Sequence, residues 1–265
     1  MRTAATIVLL LIPCGAPAQE LSLEQKAAFL RTAKVIDARQ TSKGITQPYR
    51  LTLTDGSLTH DAHFQSVDQQ KAIAKTGRNR RPELNFKDSW RFNVAAHRLA
   101  VLLGIPDMVP VSVERSWDGK PGAMTWWVDD VLMDEEERRT KGLKPPDPEA
   151  WGRENARMRV FSELVYDTDR NQGNNLITRD WRIVTIDFTR AFRPWNTTPN
   201  PLNLLRRCDR TLLAAMRGLT RDAVRAAVGE YMTSSEVNAL LGRRDRIVRH
   251  FDELIARLGE PSVLY

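Results

Sequence analysis

One stretch, residues 166–192, limits the possible folds of this chain more than any other. It reads "YDTDRNQGNNLITRDWRIVTIDFTRAF" and begins with acidic and amide side chains on a short turn. Two apolar runs, "NNLIT" and "RIVTIDF", follow on either side of Asp180-Trp181, which predicts a β-hairpin. Asp187 ends the second run, so we expect its carboxylate at the edge of a buried sheet, where a metal ion could offset its desolvation.

The acidic residues at the start of this stretch are compatible with a calcium loop of the EF-hand type. Such a loop supplies oxygen ligands at its first, third and fifth positions, a glycine at the sixth and a glutamate at the twelfth. Counting from Asp167, the first three ligand positions hold Asp167, Asp169 and Asn171. The sixth position is Gln172 and the twelfth is Thr178. Because the turn residue and the best ligand are both missing, calcium binding is the lower-ranked alternative.

The spacing agrees better with a phosphoryl-transfer site. Such a site needs a carboxylate that accepts the proton of a hydroxyl group, and an amide and a second carboxylate that hold Mg²⁺ on nucleotide phosphates. Asn174 lies five residues after Asp169, and Asp187 lies thirteen residues after Asn174, beyond the predicted hairpin. A simpler alternative is that Asp169 and Asn174 only cap turns, as these residue types often do.

The segments "DTDRNQGNNLI" and "IDFTRAF" resemble the catalytic and metal-binding loops of the protein-kinase-like superfamily. The resemblance is closest to its atypical branch, which includes phosphatidylinositol 3-/4-kinases, HipA-type kinases and secretory-pathway kinases. It implies that Asp169 is the catalytic base and that Asn174 and Asp187 are metal ligands. It also implies that Arg170 orients the loop or a phosphate. The implied cofactors are ATP or another nucleotide, with Mg²⁺ or Mn²⁺.

The same resemblance extends into the N-terminal half of the chain. The segment "SKGITQPYRLTL" is similar to the turn that covers the nucleotide, which would put Gly44 and Thr46 beside the phosphates. The segment "AAHRLAVLLGIPDMVPV" is similar to the passage from the N-lobe helix into the next strand. Gln65 stands where a nucleotide-binding strand lysine is usual, and Asn93 stands where the glutamate that pairs with that lysine is usual.

These departures leave two functional alternatives open. One is an atypical kinase with a rearranged clamp, in which Lys71 or Lys75 pairs with Glu83. The other is an exported pseudokinase that binds a nucleotide or a metal ion without turnover. Thr189 also takes the place of the glycine in Asp-Phe-Gly, a position that varies among atypical kinases.

Hydrophobic periodicity predicts an α+β fold with two lobes, in agreement with a two-lobed protein-kinase-like fold. The N-lobe, residues 19–130, is expected to be small and β-rich with one main helix, which Gly104 ends. Asp55-Gly56 lies between two alternating runs and predicts a hairpin, whereas residues 75–83, "KTGRNRRPE", are predicted to form a loop. The C-lobe, residues 131–265, is expected to be helical, with one helix running from about Pro148 to Val165.

The N-terminus predicts export. Residues 1–18 contain a short apolar run followed by Ala16-Pro17-Ala18, which is typical of a cleaved signal peptide, so we expect a periplasmic or extracellular protein. Lipid attachment at Cys14 is a less favoured alternative, because Pro13 precedes it instead of a small residue. The mature chain is expected to have no transmembrane segment and no disulfide, because only Cys208 remains, and Cys208 is expected to pack as a small hydrophobe.

The net charge of +7 suggests an anionic partner but does not favour nucleic acid. Its arginines are interspersed with acidic residues, as in "LGRRDRIVRHFDELIARLGE", and do not form one basic stripe. No Gly-x-Ser-x-Gly or Cys-x-x-Cys motif supports a hydrolase or a redox enzyme. The phosphoryl acceptor is not encoded in a readable motif, and it is equally a protein, a lipid or a small molecule.

Overall fold

The computed structural model describes residues 21–41, 48–76, 81–169 and 171–265. The expected signal peptide with Cys14, and the predicted site residues Gly44, Thr46 and Arg170, lie outside these ranges. The elements of the N-terminal half are α1 (Leu23–Thr32), β1 (Lys34–Gln40), β2 (Tyr49–Thr54), β3 (Thr59–Gln65), β4 (Asp68–Thr76), β5 (Arg81–Ser89), α2 (Arg91–Leu102), β6 (Ser112–Trp117) and β7 (Lys120–Trp126).

Five of these strands form one antiparallel sheet in the order β1-β2-β3-β7-β6. Asp55-Gly56 makes the turn between β2 and β3, as predicted: Asp55 Oδ1 accepts from the Leu58 amide at 2.8 Å, and Gly56 has a φ of 93°. Helix α1 covers one face of this sheet and buries a small apolar core with it. That core contains Phe29, Leu30, Leu51, Leu53, Ala62, Phe64, Val111, Val113 and Met124.

Strands β4 and β5 form a separate two-stranded hairpin between β3 and α2. The loop prediction for residues 75–83 was wrong at both ends, because these residues complete the two strands, while residues 77–80 lie outside the described ranges. The sequence hides this pairing because polar residues occupy both faces of the hairpin. Its most apolar cross-strand pair, Ile73 and Leu84, is exposed to solvent.

The C-terminal half is mainly helical, as predicted. Its elements are β8 (Val131–Asp134), α3 (Glu135–Thr140), α4 (Pro148–Val165), a 3-10 turn (Gln172–Asn174), β9 (Asn175–Thr178), β10 (Ile183–Thr185), a 3-10 turn (Leu202–Leu204), α5 (Arg210–Gly218), α6 (Arg221–Val228), α7 (Ser234–Leu258) and α8 (Glu260–Val263). Strands β9 and β10 form the predicted hairpin, and β8 adds to the edge of β9. Together with the sheet-rich first half, this arrangement confirms the predicted α+β class.

Helix α2 belongs to the larger of two hydrophobic cores. Its buried face, which includes Phe92 and Leu99, packs with side chains of α4, α5, α6 and α7, among them Phe161, Leu213 and Ile247. Cys208 is fully buried in the same core, where burial raises the pKa of its thiol to about 12, so it packs as the expected small hydrophobe. Within the described ranges, no helix has the length and apolar character needed to cross a bilayer.

Candidate active site

A cavity of about 670 Å³ lies between the five-stranded sheet and the β9–β10 hairpin. Its two sides differ in origin, and we name them here. The loop wall comprises Gly173, Asn174 and residues 185–188, with Asp169 placed beside it by the same turn. The strand wall comprises His63, Gln65, Asn93 and the cavity-lining residues of β1, β2 and β7.

The loop wall begins where α4 ends. Asp147 caps the start of α4, with Pro148 in its first turn, and the helix stops at Tyr166, whose φ of 50° is left-handed. The chain then turns so that the buried Asp167 accepts, through Oδ1, a hydrogen bond of 3.0 Å from the Asp169 amide. This hydrogen bond from a side chain to the backbone orders the turn that carries Asp169.

Asp169 and Asn174 are held on one turn. The Asn174 side chain donates through Nδ2 to the Asp169 carbonyl at 3.1 Å, and the Asn174 amide donates to Asn171 Oδ1 at 3.1 Å. The side chain of Asp169 is 45% exposed, and its Oδ2 lies 3.4 Å from Nη1 of Arg190. The carboxylate of Asp169 is therefore placed by the backbone yet open to a solvent-borne group.

Asp187 joins this turn through the backbone. The Ile186 amide donates to the Asn174 carbonyl at 3.0 Å, so Asp187 follows directly from a residue that is bonded to the turn. Asp187 has a φ of 57°, and Thr189 Oγ1 donates to its Oδ1 at 3.0 Å. A left-handed conformation at a non-glycine residue costs energy and is common at functional sites. The structure thus brings Asp169, Asn174 and Asp187 to one side of the cavity.

The strand wall includes the amide groups of Gln65 and Asn93, at the positions where the resemblance to kinases implies a lysine and a glutamate, and the imidazole group of His63. Gln65 is only 4% exposed and lines the cavity at the end of β3. Asn93, in the first turn of α2, accepts through Oδ1 a 2.8 Å hydrogen bond from the Phe188 amide. Asn93 therefore anchors the residue after Asp187, and it does so without charge.

His63 also lines the cavity, although its alternation along β3 suggested only packing or solvent exposure. Burial lowers the pKa of His63, and the nearby carboxylate of Asp187 opposes that shift. Sequence spacing gave no sign of this contact, because Asp187 arrives from the distant β9–β10 hairpin.

Glu83 pairs with two arginines. Its carboxylate binds the guanidinium groups of Arg190, at 2.6 Å, and Arg193, and both arginines follow Asp187 in the chain. Of the two lysines considered as its partner, Lys71 lies on an exposed part of β4, and the side chain of Lys75 lies outside the described part of the structure.

Asp88 is a further acidic residue of the site that sequence reasoning missed. Burial raises the pKa of its carboxyl, and the neighbouring charges of Asp187 and Asp169 raise it further, against a hydrogen bond with Thr189. Asp88 lies near the end of β5, in the hairpin that the sequence did not reveal.

Two tryptophans line the cavity beside the link from β7 to β8. Trp126 stacks on His60 with ring centroids 3.7 Å apart, and His60 in turn contacts Asp129 at 2.7 Å. The guanidinium of Arg50 lies 4.2 Å from the Trp127 ring centroid and also pairs with Asp61. These rings give the cavity a planar apolar end, suited to a flat heterocycle.

The oxygen donors of the loop wall fit a hard divalent cation. Carboxylate and amide oxygens are the ligands that Mg²⁺ and Mn²⁺ accept, and Asp187 and Asn174 supply one of each. Among the described side chains, no group of three or more His, Cys, Asp or Glu residues is arranged to hold a metal ion.

No protein-family model matches the chain, and no curated protein matches it. Solved structures that share its fold include the three described next. The structure of hydra Fam20 with sugar aligns with a TM-score of 0.69 at 14% identity, covering 92% of both chains. The Golgi casein kinase with Mn/ADP bound aligns at 0.64 and 13%, covering 91% of this chain and 78% of that one. The Helicobacter pylori proinflammatory kinase CtkA aligns at 0.57 and 10%, covering 86% of this chain and 98% of that one.

Identities this low establish the fold and not the activity. The alignments extend over most of the chain, including both the sheet-rich half and the helical half. They confirm a kinase-like fold with a sheet-rich first part and a helical second part. The chain therefore has a protein-kinase-like fold.

Proposed function

We propose that this protein is a phosphotransferase that uses ATP or another nucleotide with Mg²⁺ or Mn²⁺. The observation that carries the proposal is the hydrogen-bonded chain that links Asp169, Asn174 and Asp187 along one wall of the cavity. Fold similarity to the Golgi casein kinase, whose structure holds Mn and ADP, supports the same cofactor class.

In this proposal Asn174 and Asp187 hold the metal ion, which would neutralise the charge that develops on the transferred phosphoryl group. Asp169 accepts the proton of the acceptor hydroxyl, and its partial exposure lets an acceptor approach from solvent. Gln65 and His63 lie on the opposite wall, where neutral hydrogen-bond donors can contact the phosphates. The tryptophan end of the cavity takes the base.

The other predicted roles belong to the same proposal. Gly44 and Thr46 would cover the phosphates, and Arg170 would orient the turn or a phosphate. The division at residue 130, the signal peptide over residues 1–18 and export remain part of the proposal as well. The acceptor stays open between a protein, a lipid and a small molecule. Because the hydra Fam20 structure was determined with sugar, a saccharide should be among the acceptors tested for phosphoryl transfer.

The uncharged residues Gln65 and Asn93 favour a second candidate, a pseudokinase that binds nucleotide without turnover. Gln65 and Asn93 occupy the places where a lysine and a glutamate would fix the phosphates for transfer. Binding would survive this replacement better than catalysis, because the metal ligands lie on the other wall.

A thermal-shift titration tests both candidates. A nucleotide at one hundred times its dissociation constant stabilises a protein by about 2.7 kcal/mol, so its binding is readily seen. We expect a shift that needs ATP and Mg²⁺ or Mn²⁺ together, that Asp187→Ala abolishes, and that the exposed control Asp222→Asn leaves intact. Absence of any nucleotide-dependent shift would remove the proposal, and a shift with Ca²⁺ alone would assign the loop to calcium.

Turnover then separates the candidates. An enzyme should lose about 10²- to 10⁴-fold in kcat when Asp169 becomes Asn, since that substitution removes the general base. The Asp169→Asn variant should still show the nucleotide-dependent shift. A wild-type protein that binds nucleotide but transfers no phosphoryl group to water, peptide, lipid or sugar acceptors is the pseudokinase.

A further inference from the structure

The β4–β5 hairpin is bonded to the segment that follows Asp187. The Ser89 amide donates to the Thr189 carbonyl at 2.8 Å, and Nη1 of Arg193 donates to the Asn85 carbonyl at 3.0 Å. Both bonds involve β5, so one edge of this small hairpin lies along the start of the segment. A hairpin that the sequence analysis placed partly in a loop is thus bonded to the segment that follows the site.

Glu83 is the charged centre of this contact. Its two carboxylate oxygens bind different arginines: Oε2 lies 2.6 Å from Nη2 of Arg190, and Oε1 binds Nη2 of Arg193. Arg193 is only 2% exposed, which makes its pairing costly to break. Charge-assisted bonds of this kind fix both partners in one orientation.

Arg190 has a second carboxylate within reach. Its Nη1 lies 3.4 Å from Oδ2 of Asp169, which is longer than its contact with Glu83. Asp88 also lies near Arg190, and burial raises the pKa of the Asp88 carboxyl. The arginine is therefore shared between Glu83 and Asp169, and Glu83 has the larger part.

The geometry points to Glu83 as a positioning residue that holds Arg190 back from Asp169 and so keeps the Asp169 carboxylate open to the acceptor hydroxyl. This inference rests on the proposed function, in which Asp169 takes the acceptor's proton. In many protein kinases an added phosphate binds arginines and orders the segment after the metal ligand. Here a carboxylate of the chain itself binds the two arginines.

The test compares Glu83→Gln with two double variants. In Glu83→Gln, Arg190 closes on Asp169, so kcat falls by at least about tenfold, within the range that a general base contributes. The KM for nucleotide stays within about threefold, because the metal ligands are untouched. Adding Arg190→Met to Glu83→Gln restores most of the lost kcat, since no cation then covers Asp169.

The matched control is Glu83→Gln with Arg193→Met, which removes the other arginine. It should not restore kcat, although it removes the unpaired buried charge and recovers part of any loss in melting temperature. Equal rescue by the two double variants, or rescue by neither, would show that Glu83 only stabilises the fold. Glu83→Asp, which keeps the charge, should recover more of the wild-type kcat than Glu83→Gln does.

A stability measurement keeps the inference testable if the protein has no turnover at all. The coupling between Arg190 and Asp169 comes from the melting temperatures of Arg190→Met, Asp169→Asn and the pair of substitutions. It should be near zero with Glu83 present and rise by about 2–4 °C in the Glu83→Gln background, as a new ion pair forms. An unchanged coupling overturns the inference, whereas missing turnover by itself removes only the proposed catalysis.

Discussion

The two walls of the cavity differ in the chemical groups that they present to it. The loop wall presents carboxylates and an amide from a single stretch of chain, Asp169 to Asp187. The strand wall presents His63, Gln65 and Asn93 together with Arg39 and Arg50, and its residues come from several elements. Acidic metal ligands are hard to replace, because few side chains bind a hard cation, whereas a phosphate accepts hydrogen bonds from many neutral donors. In the proposed function, the loop wall would supply most of the binding energy for the nucleotide and its metal ion, and the strand wall would adjust it.

The two walls also rest on different cores. The five-stranded sheet and α1 share the smaller core, whereas the loop wall packs on the larger core with α2 and the C-terminal helices. Asn93 on α2 joins them, because its bond to the Phe188 amide crosses from one wall to the other. Perturbations of each core should therefore reach the two walls unequally.

The largest expected effect comes from Arg243, which supports the loop wall. Its guanidinium is fully buried and donates to the Leu164 carbonyl at 2.7 Å, the Arg193 carbonyl at 2.9 Å and the Trp195 carbonyl. Arg243→Met leaves those carbonyls without their donor, which should cost about 3 kcal/mol or more in the free energy of unfolding. Denaturant unfolding measures this loss.

Hydrogen exchange locates the same effect. In Arg243→Met, the amides of residues 167–175 should exchange faster, while those of β2 and β3 keep their protection. The control is Arg246→Met, on the exposed face of the same helix, which should change stability by about 0.5 kcal/mol or less. If both substitutions cost the same, the loop wall does not depend on the buried arginine.

The next effect is a loss of folding stability at acid pH, which comes from a buried histidine on α2. His97 on α2 is 8% exposed, its Nδ1 lies 3.4 Å from the carbonyl of the cavity residue Val109, and burial lowers its pKa from 6.5 to about 4. Between these two pH values the unfolded chain binds more protons than the folded protein, so stability falls as the pH drops. The loss should approach about 3 kcal/mol near pH 4.

His97→Gln isolates this contribution. The substitution removes the titrating group, so the difference in stability between wild type and variant should change by roughly that amount between pH 8 and pH 4. Carboxylates that titrate in the same range cancel in this difference. A pH-independent difference would mean that the pKa of His97 is the same in the folded and unfolded states.

The residues of the loop wall could be predicted from the sequence more readily than those of the strand wall. Asp169, Asn174 and Asp187 lie close together in the chain with one hairpin between them, so their spacing alone indicated the turn that the structure contains. Helix α4 was predicted with its observed bounds, because Asp147-Pro148 is a strong helix start. Both predictions rested on residues close together in the sequence, and such local patterns can be recognised from the sequence alone.

The strand wall was harder to predict from the sequence, for a physical reason. Its contacts join residues far apart in sequence, such as His63 with Asp187 and Asn93 with Phe188. The β4–β5 hairpin has polar residues on both faces, so no alternation indicated it, and no pattern in the sequence showed that Glu83 pairs with Arg190 and Arg193. Long-range pairing by charge leaves no period in the sequence.

The smallest expected effect, and the most direct comparison of the walls, is on nucleotide affinity. Gln65→Leu removes a buried amide that faces the loop wall and keeps a similar volume. A neutral hydrogen bond contributes about 1 kcal/mol, so the dissociation constant for nucleotide with Mn²⁺ should rise about tenfold or less. Asp187→Ala should weaken the same binding at least about hundredfold, because it removes a metal ligand.

Calorimetry or a melting titration gives both constants on one scale, with Gln69→Leu on the exposed part of β4 as the matched amide control. If Gln65→Leu weakens binding as much as Asp187→Ala does, the strand wall holds the phosphates by itself, and the neutral residues are a working substitute for the lysine clamp.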